Sequence, residues 1–462
     1  MFKNIYHIHF VGIGGIGMSG IAEVLKSMGY SISGSDIKES QITDHLKSIG
    51  INIRIGHSAD NVGSSDVVVY SSAIKIDNIE LEYAKKEKIP VIPRAMMLAE
   101  LMRMKFSIGV AGTHGKTTTT SLIAKIFHNA NLDPTIIIGG QVKAFENANA
   151  RLGAGEYLIA EADESDKSFL KLFTSMAVIT NIDEDHLDNY KDLQEIKEHF
   201  IKFANSVPFY GSVIMCMDDE NNRNVMDKIT SKIITYGFNR KSNVRAINLK
   251  MHVMGSKFNL VSRNMDLGEI NLNIPGRHNV LNSLAAAAVA IELEISFNTI
   301  KVALTEFSGV KRRFEIIYKD KKRNIFLIDD YAHHPAEIFT VINSARNMGD
   351  YRVVTIFQPH LYSRTLSLKE KFSEILSKSD ISIVTDIYPA RENPIEGVTG
   401  AILYDEIKKN LKENAHYIED KNKLPAYLKK FAQENTIFLF IGAGDINKYS
   451  MMFAKDLSND KT

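Results

Sequence analysis

A glycine-rich segment followed by a lysine and threonines has the residue types of a phosphate site. Gly112-Thr113-His114-Gly115-Lys116-Thr117-Thr118 follows the apolar run 106–111 and precedes the apolar helical residues 122–127. In such a strand, loop and helix, backbone N–H groups surround phosphate oxygens, the lysine contacts the outer phosphates and the hydroxyl of Thr117 binds Mg²⁺. The segment therefore predicts an ATP site. Val110 stands where the longer loop pattern, G-x-x-x-x-G-K-[ST], requires a glycine.

Acidic residues and a histidine follow the next two predicted strands. Glu161 comes directly after the strand 157–160, and its carboxylate is the kind of hard oxygen ligand that Mg²⁺ prefers. The alternative, a solvated acidic turn, applies mostly to Asp163, Glu164 and Asp166. His186 lies in an acidic segment after the strand 176–180, where it is either a ligand or orienting group at the metal or an ordinary surface residue.

A second glycine turn lies near the N-terminus. Gly12-Ile13-Gly14-Gly15-Ile16-Gly17 follows a strand and precedes a helix, and the acid Asp36 stands at the end of the next strand. This pattern is typical of dinucleotide sites, but a glycine turn at a helix N-terminus holds any diphosphate, including that of a UDP-sugar. A nicotinamide or flavin, another diphosphate ligand and a purely structural turn all remain open.

Other polar residues each have both a structural and a functional interpretation. Asn279 and Asn282 stand at an alanine-rich helix, where asparagine either caps the helix or contacts a purine edge. Arg313 follows a linker and Asp330 ends a predicted strand, and both positions suit purely structural residues. The histidines 333, 334 and 360 lack the spacing and the cysteine partners of a zinc site.

The composition excludes several classes of protein. The 462 residues contain 56 basic and 55 acidic side chains, so no overall charge attracts nucleic acid or an anionic membrane surface. The single cysteine, Cys216, cannot form an internal disulfide. No apolar run reaches the ~18 residues needed to span a bilayer, and the N-terminus lacks a signal-peptide core. We expect a cytoplasmic protein without nucleic-acid binding or membrane insertion.

Short apolar runs alternate with helical patterns along almost the whole chain, which predicts an α/β fold with parallel sheets. The length favours about three domains. A fresh strand at Phe106 and a break at Ser308-Gly309 place the boundaries, giving domains at 1–104, 105–309 and 310–462. The last region has four predicted strands, and its polar strand ends are expected to face a site.

Taken together, these motifs resemble those of the Mur ligases. The shared motifs occur in order over nearly the whole chain: Gly12 to Gly17, Gly112 to Thr117, 161–164, 181–186, 278–282, 312–314 and 329–335. The shorter loop of that family, G-T-x-G-K-[ST], accounts for Val110. The resemblance implies an N-terminal Rossmann-like UDP-binding domain, a central P-loop ATPase-like domain and a C-terminal Rossmann-like domain that closes over the site.

The resemblance also implies roles for individual residues. Catalytic roles would fall to Lys116, His186, Arg313 and Asp330. ATP would contact 112–118, Asn279, Asn282, Arg313 and Asp330. The UDP-sugar would contact Gly12, Gly14, Gly15, Gly17, Asp36, Ser71, Ser72 and His114. Mg²⁺ would bind Thr117, Glu161 and His186, and the amino acid would contact Tyr331, His333, His334, His360 and Arg364.

The activity implied by the resemblance is ATP-dependent amide formation between UDP-N-acetylmuramate and L-alanine. Relatives often have an arginine where this chain has Leu361, so carboxylate recognition is expected to fall on Arg364. A ligase that adds a tripeptide to the same nucleotide sugar is the alternative within the family. A nucleotide-controlled regulatory protein and a nicotinamide-dependent oxidoreductase are alternatives of other classes.

Overall fold

The structure is a computed structural model that describes residues 2–138, 150–184, 189–252, 254–390 and 392–459. Its strands form sheets of five, ten and six strands. The chain divides into two compact units, one comprising Met1–Leu249, Lys257–Asn273 and His278–Ser308, the other Lys250–Ser256, Ile274–Arg277 and Gly309–Thr462. Among the helices of the described ranges, none combines the length and the apolar composition needed to cross a bilayer.

The first sheet is parallel throughout. Its region contains β1 (His7–Val11), α1 (Ile16–Ser27), β2 (Ser31–Asp36), α2 (Gln41–Ser48), β3 (Asn52–Ile55), β4 (Val67–Tyr70), α3 (Ile79–Lys86), β5 (Val91–Pro93) and α4 (Arg94–Met102). The strand order is β3-β2-β1-β4-β5. The direction of the strand order therefore reverses between β1 and β4, and open parallel sheets bind ligands beyond the carboxyl ends at such a point.

The second sheet places three strand ends side by side. Its region contains β6 (Phe106–Ala111), α5 (Lys116–Asn129), β7 (Thr135–Ile137), β8 (Ala150–Arg151), β9 (Tyr157–Glu161), β10 (Met176–Ile179), α6 (Leu193–Asn205), β11 (Ser212–Cys216), α7 (Glu220–Met226), β12 (Ile233–Gly237), β13 (Val244–His252), β14 (Gly255–Ser262), β15 (Met265–Leu272), α8 (Arg277–Glu292) and α9 (Phe297–Glu306). The order is β15-β14-β13-β12-β11-β10-β6-β9-β7-β8. Because β6 pairs in parallel with both β10 and β9, the loops after these three strands share one edge.

The third sheet belongs to the second unit. Its region contains β16 (Glu315–Asp320), β17 (Ile325–Asp330), α10 (Pro335–Arg346), β18 (Arg352–Phe357), α11 (Tyr362–Ser367), α12 (Lys369–Leu376), β19 (Ile381–Thr385), α13 (Gly400–Leu411), β20 (Ala415–Ile418), α14 (Leu424–Leu428), β21 (Thr436–Ile441) and α15 (Ile446–Asn459). The order is β16-β17-β21-β18-β19-β20, and only β16 runs antiparallel to its neighbour. The loops after β17, β18 and β21 therefore meet at one edge.

The predicted fold class is confirmed, since three α/β regions follow one another along the chain. The sequence analysis did not predict β3, β7, β8, β11 to β15 or the edge strands β16 and β20. Strands β13, β15, β16 and β20 have exposed or half-buried positions, so they lack the short apolar run of a central parallel strand. Strand β11 is buried throughout, and its apolar run was overlooked. The domain boundaries at 104/105 and 309/310 stay predictions.

The first two sheets share one continuous hydrophobic core. It includes Ile21 of α1, Leu101 of α4 and Phe169, which follows β9. At its margin the guanidinium of Arg103 lies 3.8 Å from the ring centre of Phe173. The glycine turn after β1 and the phosphate loop after β6 are thus carried by elements of a single packed unit.

A buried carboxylate, that of Glu80 in α3, forms hydrogen bonds with side chains of the first sheet. Its Oε2 accepts a hydrogen bond from the Ser35 hydroxyl at 2.7 Å, and its Oε1 accepts one from the Asn61 amide at 2.7 Å. His9 Nε2 lies 3.2 Å from Oε2. Burial by itself raises the pKa of Glu80, but its hydrogen bonds, led by that with His9, outweigh burial and lower the pKa to about 2. The fold therefore holds Glu80 as a carboxylate.

Replacing Glu80 by Gln should destabilise the protein by about 1–3 kcal/mol at neutral pH, because a buried hydrogen-bond network loses its charged acceptor. Since the pKa of Glu80 falls from 4.5 to about 2 on folding, its stabilisation is present above pH 4.5 and is lost as the pH falls toward 2. When urea unfolding is measured at a series of acidic pH values, the free energy of unfolding of Glu80→Gln should therefore depend less on pH than that of the wild type. Glu82→Gln, an exposed position on the same helix, is the control. If the free energy of unfolding of Glu80→Gln fell with acidic pH as steeply as that of the wild type, Glu80 would not be the stabilising carboxylate described here.

Candidate active site

The phosphate loop begins at Gly112. Val110 is a buried residue of β6, paired with Val178 on one side and Glu161 on the other, so it belongs to the strand and not to the loop. Gly112 and Gly115 have φ values of +130° and +85°, in the region that favours glycine. Helix α5 starts at the next residue, with Gly115 at its N-cap.

Both glycines are also required by their neighbours. A Cβ on Gly112 would collide with the Thr180 hydroxyl, and a Cβ on Gly115 would lie 2.5 Å from the Asn282 amide oxygen. The Asn282 amide nitrogen donates to Asn279 Oδ1 at 3.2 Å. The structure thus brings both predicted adenine-contacting asparagines to the phosphate loop, and their contact with adenine stays a prediction.

The segment after β10 holds the loop in place through contacts that the sequence did not reveal. The His114 N–H donates to Asn181 Oδ1 at 2.8 Å, and the Thr113 N–H donates to the Asn181 carbonyl at 3.1 Å. The Thr180 hydroxyl donates to the His114 carbonyl at 2.7 Å. The Asp183 N–H donates to the Thr113 hydroxyl at 2.9 Å. Two successive loop residues are therefore fixed by backbone and side-chain groups of one neighbouring strand end.

Lys116 lies folded over its own loop. Its Nζ donates to the carbonyls of Gly112 and Thr113 at 2.6 and 3.2 Å and pairs with Glu164 Oε1 at 2.7 Å. Burial opposes the charge of Lys116, but the carboxylates of Glu164 and Asp163 outweigh it and raise its pKa. The ammonium therefore stays protonated at the position where outer phosphates are expected.

The predicted metal ligands have the chemistry that Mg²⁺ requires. Thr117 lies in the first turn of α5, and Glu161 ends β9, close enough to Lys116 to raise its pKa. Within the described ranges, no group of three or more His, Cys, Asp or Glu side chains could hold a metal ion. A hydroxyl and a carboxylate nevertheless suit Mg²⁺, which commonly completes its shell with substrate phosphates and water. His186 lies outside the described residues.

The glycine turn after β1 is shaped by two of the predicted UDP-sugar residues. The Gly14 N–H donates to Asp36 Oδ2 at 2.9 Å, so this carboxylate oxygen caps the turn. Ser71, at the end of β4, lies against Gly12, where a Cβ would be 3.3 Å from the serine Cβ. Ser72 follows at an exposed position. These residues lie at the reversal point of the first sheet, and their contact with a UDP-sugar stays a prediction.

An arginine that the sequence analysis did not single out, Arg94, lies between the glycine turn and the acidic segment after β9. Arg94 Nη1 lies 2.7 Å from the position that a Cβ on Gly17 would take, and Nη2 lies 3.4 Å from Asp163 Oδ2. Its position directly after β5, at the carboxyl edge of the first sheet, is the signal that could have identified it.

All five residues predicted to contact the amino acid lie in the segments that follow β17 and β18 of the second unit. The ring centres of His333 and His360 are 5.8 Å apart, and those of Tyr331 and His333 are 5.7 Å apart. Burial lowers the pKa of His333, and the charge of nearby Arg364 adds to this shift, while the Glu337 carboxylate opposes it. The net effect favours the uncharged imidazole. His334 is the N-cap residue of the adjoining helix α10.

A strained residue joins β18 to the short helix that carries Arg364. Leu361 has φ +70° and ψ 137°, a conformation that side chains disfavour, and its N–H donates to the Tyr388 carbonyl at 3.0 Å. The Leu361 carbonyl accepts the Thr365 hydroxyl at 2.7 Å. This turn orients α11 so that Arg364 and His360 lie in the same connection after β18.

The two predicted ATP contacts of this unit differ in what they do within it. Asp330 accepts the Phe314 N–H at 2.6 Å and the Ala332 N–H at 2.8 Å, one on each carboxylate oxygen. Burial raises the pKa of Asp330 to about 6. Arg313 Nη1 lies 3.9 Å from Glu337 Oε1. Asp330 thus shapes the loops around β17, and contact of either residue with ATP stays a prediction.

Three family profiles match the chain in succession. Residues 7–106 match the Mur ligase family, catalytic domain; residues 110–290 the Mur ligase middle domain; and residues 312–444 the Mur ligase, glutamate ligase domain. A UDP-N-acetylmuramate–L-alanine ligase of Trichlorobacter lovleyi is 48% identical over 96% of this chain and 98% of its own length. The chain belongs to the Mur ligase family. The resemblance inferred from the motifs is confirmed.

Other relatives of this Mur ligase agree in length and fold. The UDP-N-acetylmuramate–L-alanine ligase of Geotalea uraniireducens is 48% identical over 100% of both chains. The crystal structure of a UDP-N-acetylmuramate-alanine ligase from Thermotoga maritima has a TM-score of 0.83 and 33% identity, covering 98% of this chain and 99% of that one. A murein peptide ligase from Psychrobacter arcticus, 23% identical over 98% of this chain and 99% of its own with a TM-score of 0.71, shares the fold.

Gly115→Ala should weaken binding of a non-hydrolysable ATP analogue by at least ~10-fold, because the new methyl group adds a collision with Asn282 to the cost of a positive φ. Gly29→Ala is the matched control, since Gly29 has φ +96° but nothing within 4 Å of its Cβ position. It should lower the melting temperature without affecting ATP binding. Calorimetric titration of both variants checks this. Equal ATP affinities in the two variants would show that the contact between Gly115 and Asn282 does not shape the loop.

Proposed function

We propose that this Mur ligase joins L-alanine to the lactyl carboxylate of UDP-N-acetylmuramate and converts ATP to ADP and phosphate, in the cytoplasmic synthesis of peptidoglycan precursors. Relatives of that name, 48% identical over almost the full length, support the proposal. Within the molecule, one observation carries it: a diphosphate-type glycine turn and an ATP-type phosphate loop lie in a single packed unit. A reaction between ATP and a nucleotide sugar needs one site for the diphosphate of the sugar and another for the phosphates of ATP.

The proposed reaction activates the carboxylate before the amide forms. A lactyl carboxylate oxygen attacks the γ-phosphorus of ATP, the bond from this phosphorus to the bridging oxygen breaks, and ADP leaves. The neutral amine of L-alanine then attacks the acyl carbon, phosphate leaves with the former carboxylate oxygen, and the nitrogen loses a proton. The first step is needed because a carboxylate does not condense with an amine directly.

Electrostatic stabilisation in the first step would come mainly from Lys116. The ammonium would exchange the carbonyls of Gly112 and Thr113 for oxygens of the outer phosphates, while its buried partner Glu164 keeps it charged. Thr117 and Glu161 would hold Mg²⁺, which supplies further positive charge against the phosphates when it is bound. The fixed loop orients the γ-phosphate without reorganisation at the moment of transfer.

Recognition of the amino acid would fall to the cluster around Arg364. Arg364 Nη1 is buried and has no hydrogen-bond partner within the described part of the chain. A buried unsatisfied donor is costly, and an α-carboxylate would supply the missing acceptor as a charge-assisted hydrogen bond.

The direct test is phosphate release by the purified chain with ATP, Mg²⁺ and UDP-N-acetylmuramate, supplemented in turn with L-alanine, glycine, L-serine or a tripeptide. Release that depends on both the nucleotide sugar and L-alanine is expected. Release with the tripeptide alone would instead identify the recycling reaction within the same family. ATP hydrolysis that ignores the nucleotide sugar would contradict the proposal.

Lys116→Ala should lower kcat by at least ~10²-fold, because it removes the main cation facing the transferring phosphoryl group. The matched control is Lys125→Ala on the same helix, whose ammonium pairs with Glu306 at 2.8 Å away from the loop. Alanine-dependent ADP formation should be unchanged in the control. Wild-type turnover in Lys116→Ala would rule out the assigned phosphate contact.

Arg364→Met should raise KM for L-alanine by about 10–100-fold and leave KM for ATP unchanged, because it removes a charge-assisted contact to the amino acid and keeps most of the side-chain volume. Arg352→Met, which removes an arginine that bonds Gln433 at 3.0 Å, is the control in the same unit. Steady-state kinetics with each substrate varied in turn checks this. A rise confined to KM for ATP would assign Arg364 to the nucleotide.

A further inference from the structure

The short helix that carries Arg364 has no cap from its own N-cap residue. Helix α11 begins at Tyr362, and the residue before it is Leu361, whose side chain has no hydrogen-bond acceptor. The first N–H groups of a helix have no partners within the helix and need acceptors from elsewhere. A helix of six residues also has little stability of its own. The orientation of α11 therefore depends on contacts with other segments.

Glu392, in the connection between β19 and α13, supplies the missing acceptor. Its Oε2 accepts the Ser363 N–H at 3.0 Å, and its Oε1 accepts the Ser363 hydroxyl. Partial burial opposes the ionisation of Glu392, but hydrogen bonds, led by those from Ser363, outweigh burial and hold the pKa of this carboxyl below its ordinary value. The cap of α11 is therefore a carboxylate at neutral pH, and it comes from a different strand connection.

The same connection also holds the strained turn before α11. The Tyr388 N–H donates to the Pro359 carbonyl at 2.8 Å, and the Tyr388 carbonyl accepts the Leu361 N–H at 3.0 Å. The Tyr388 ring is stacked on that of His360, with the ring centres 5.9 Å apart and the ring planes 16° apart. A residue with the positive φ of Leu361 keeps this conformation only where its surroundings hold it. The connection after β19 thus contacts the turn on both sides of His360.

Arg364 follows the capped residue directly, within the first turn of α11. Its positive charge reaches Glu392, where it contributes to the lowered pKa of the carboxyl. Because Arg364 Nη1 is buried, its guanidinium has little room to correct a change in the direction of the helix. A charge-assisted hydrogen bond to a carboxylate requires a short distance and a narrow range of angles. The position of the cap therefore sets how well Arg364 can make such a bond.

We propose that Glu392 is a positioning residue for the amino-acid substrate, which caps α11 and so directs Arg364 at the amino-acid carboxylate. The inference rests on the proposed function, since it concerns the contact that Arg364 makes in that reaction. Glu392 itself touches no substrate and acts only through the helix. This role explains why a carboxylate from a separate strand connection is hydrogen-bonded to a six-residue helix beside the amino-acid cluster.

The test is steady-state kinetics of the full chain, in which L-alanine-dependent phosphate release is measured while each substrate is varied in turn. Glu392→Ala should raise KM for L-alanine by about 3–30-fold and leave kcat and KM for ATP unchanged, because α11 loses its cap and holds Arg364 less firmly. Glu396→Ala, at an exposed position of the same connection, is the matched control and should have wild-type kinetics. Wild-type KM for L-alanine in Glu392→Ala would overturn the inference.

Two milder variants test the cap without removing the whole carboxyl group. Glu392→Gln should keep KM for L-alanine within about 3-fold of the wild-type value, because its amide oxygen accepts the same N–H. Ser363→Ala, which removes only the hydroxyl contact, should raise KM for L-alanine by less than Glu392→Ala does. A rise in Glu392→Gln as large as that in Glu392→Ala would overturn the inference, since the charge and not the cap would then be responsible.

A double variant separates positioning from general destabilisation. If Glu392 acts through Arg364, Glu392→Ala should raise KM for L-alanine no further when it is added to Arg364→Met, because the group that it positions is already absent. Additive rises in KM would overturn the inference, and so would an equal rise in KM for ATP in Glu392→Ala alone. Failure of the wild-type chain to release phosphate in response to L-alanine would instead contradict the proposed function itself.

Discussion

The ATP end of the site depends on the close approach of the phosphate loop to two neighbouring side chains. Thr180 and Asn282 occupy the space that side chains at Gly112 and Gly115 would fill. Contacts within the protein therefore fix the curved shape of the loop, and Lys116 folds onto it as a buried ammonium. Glu164 makes this arrangement possible, because a buried cation without a carboxylate partner would be unstable.

The sequence predicted the parts of this site that are local. Strand, loop and helix around 106–129 are contiguous, and the residue types at Gly112 and Lys116 define the phosphate loop without reference to the rest of the chain. The contacts that fix the loop are not local. Thr119 and Asn282 are 163 residues apart, and the contacts of Thr180 arise only because β10 pairs with β6. Sequence patterns predict the apolar central strands around the loop but not their order in the sheet.

Polar residues at strand ends show a second limit of sequence reasoning. Asp36 and Asp330 both follow apolar strands, which is where ligand contacts are expected. In the structure, Asp36 caps the Gly14 amide with one oxygen, and Asp330 uses both oxygens on backbone amides. Residue type and position are the same for a carboxylate that binds a ligand and one that shapes a loop. Only the placement of neighbouring N–H groups distinguishes them.

The continuous core shared by the first two sheets also fixes the distance between the glycine turn and the phosphate loop. Ile21, Leu101 and Phe169 belong to one buried cluster, so the separation of the glycine turn from the phosphate loop is set by packed side chains and not by a linker. In the proposed reaction, a ligand anchored by its diphosphate at the glycine turn would present its carboxylate to ATP only if the sugar between them had the matching length. The hydrophobic packing between the two loops would in this way set the size of the substrate.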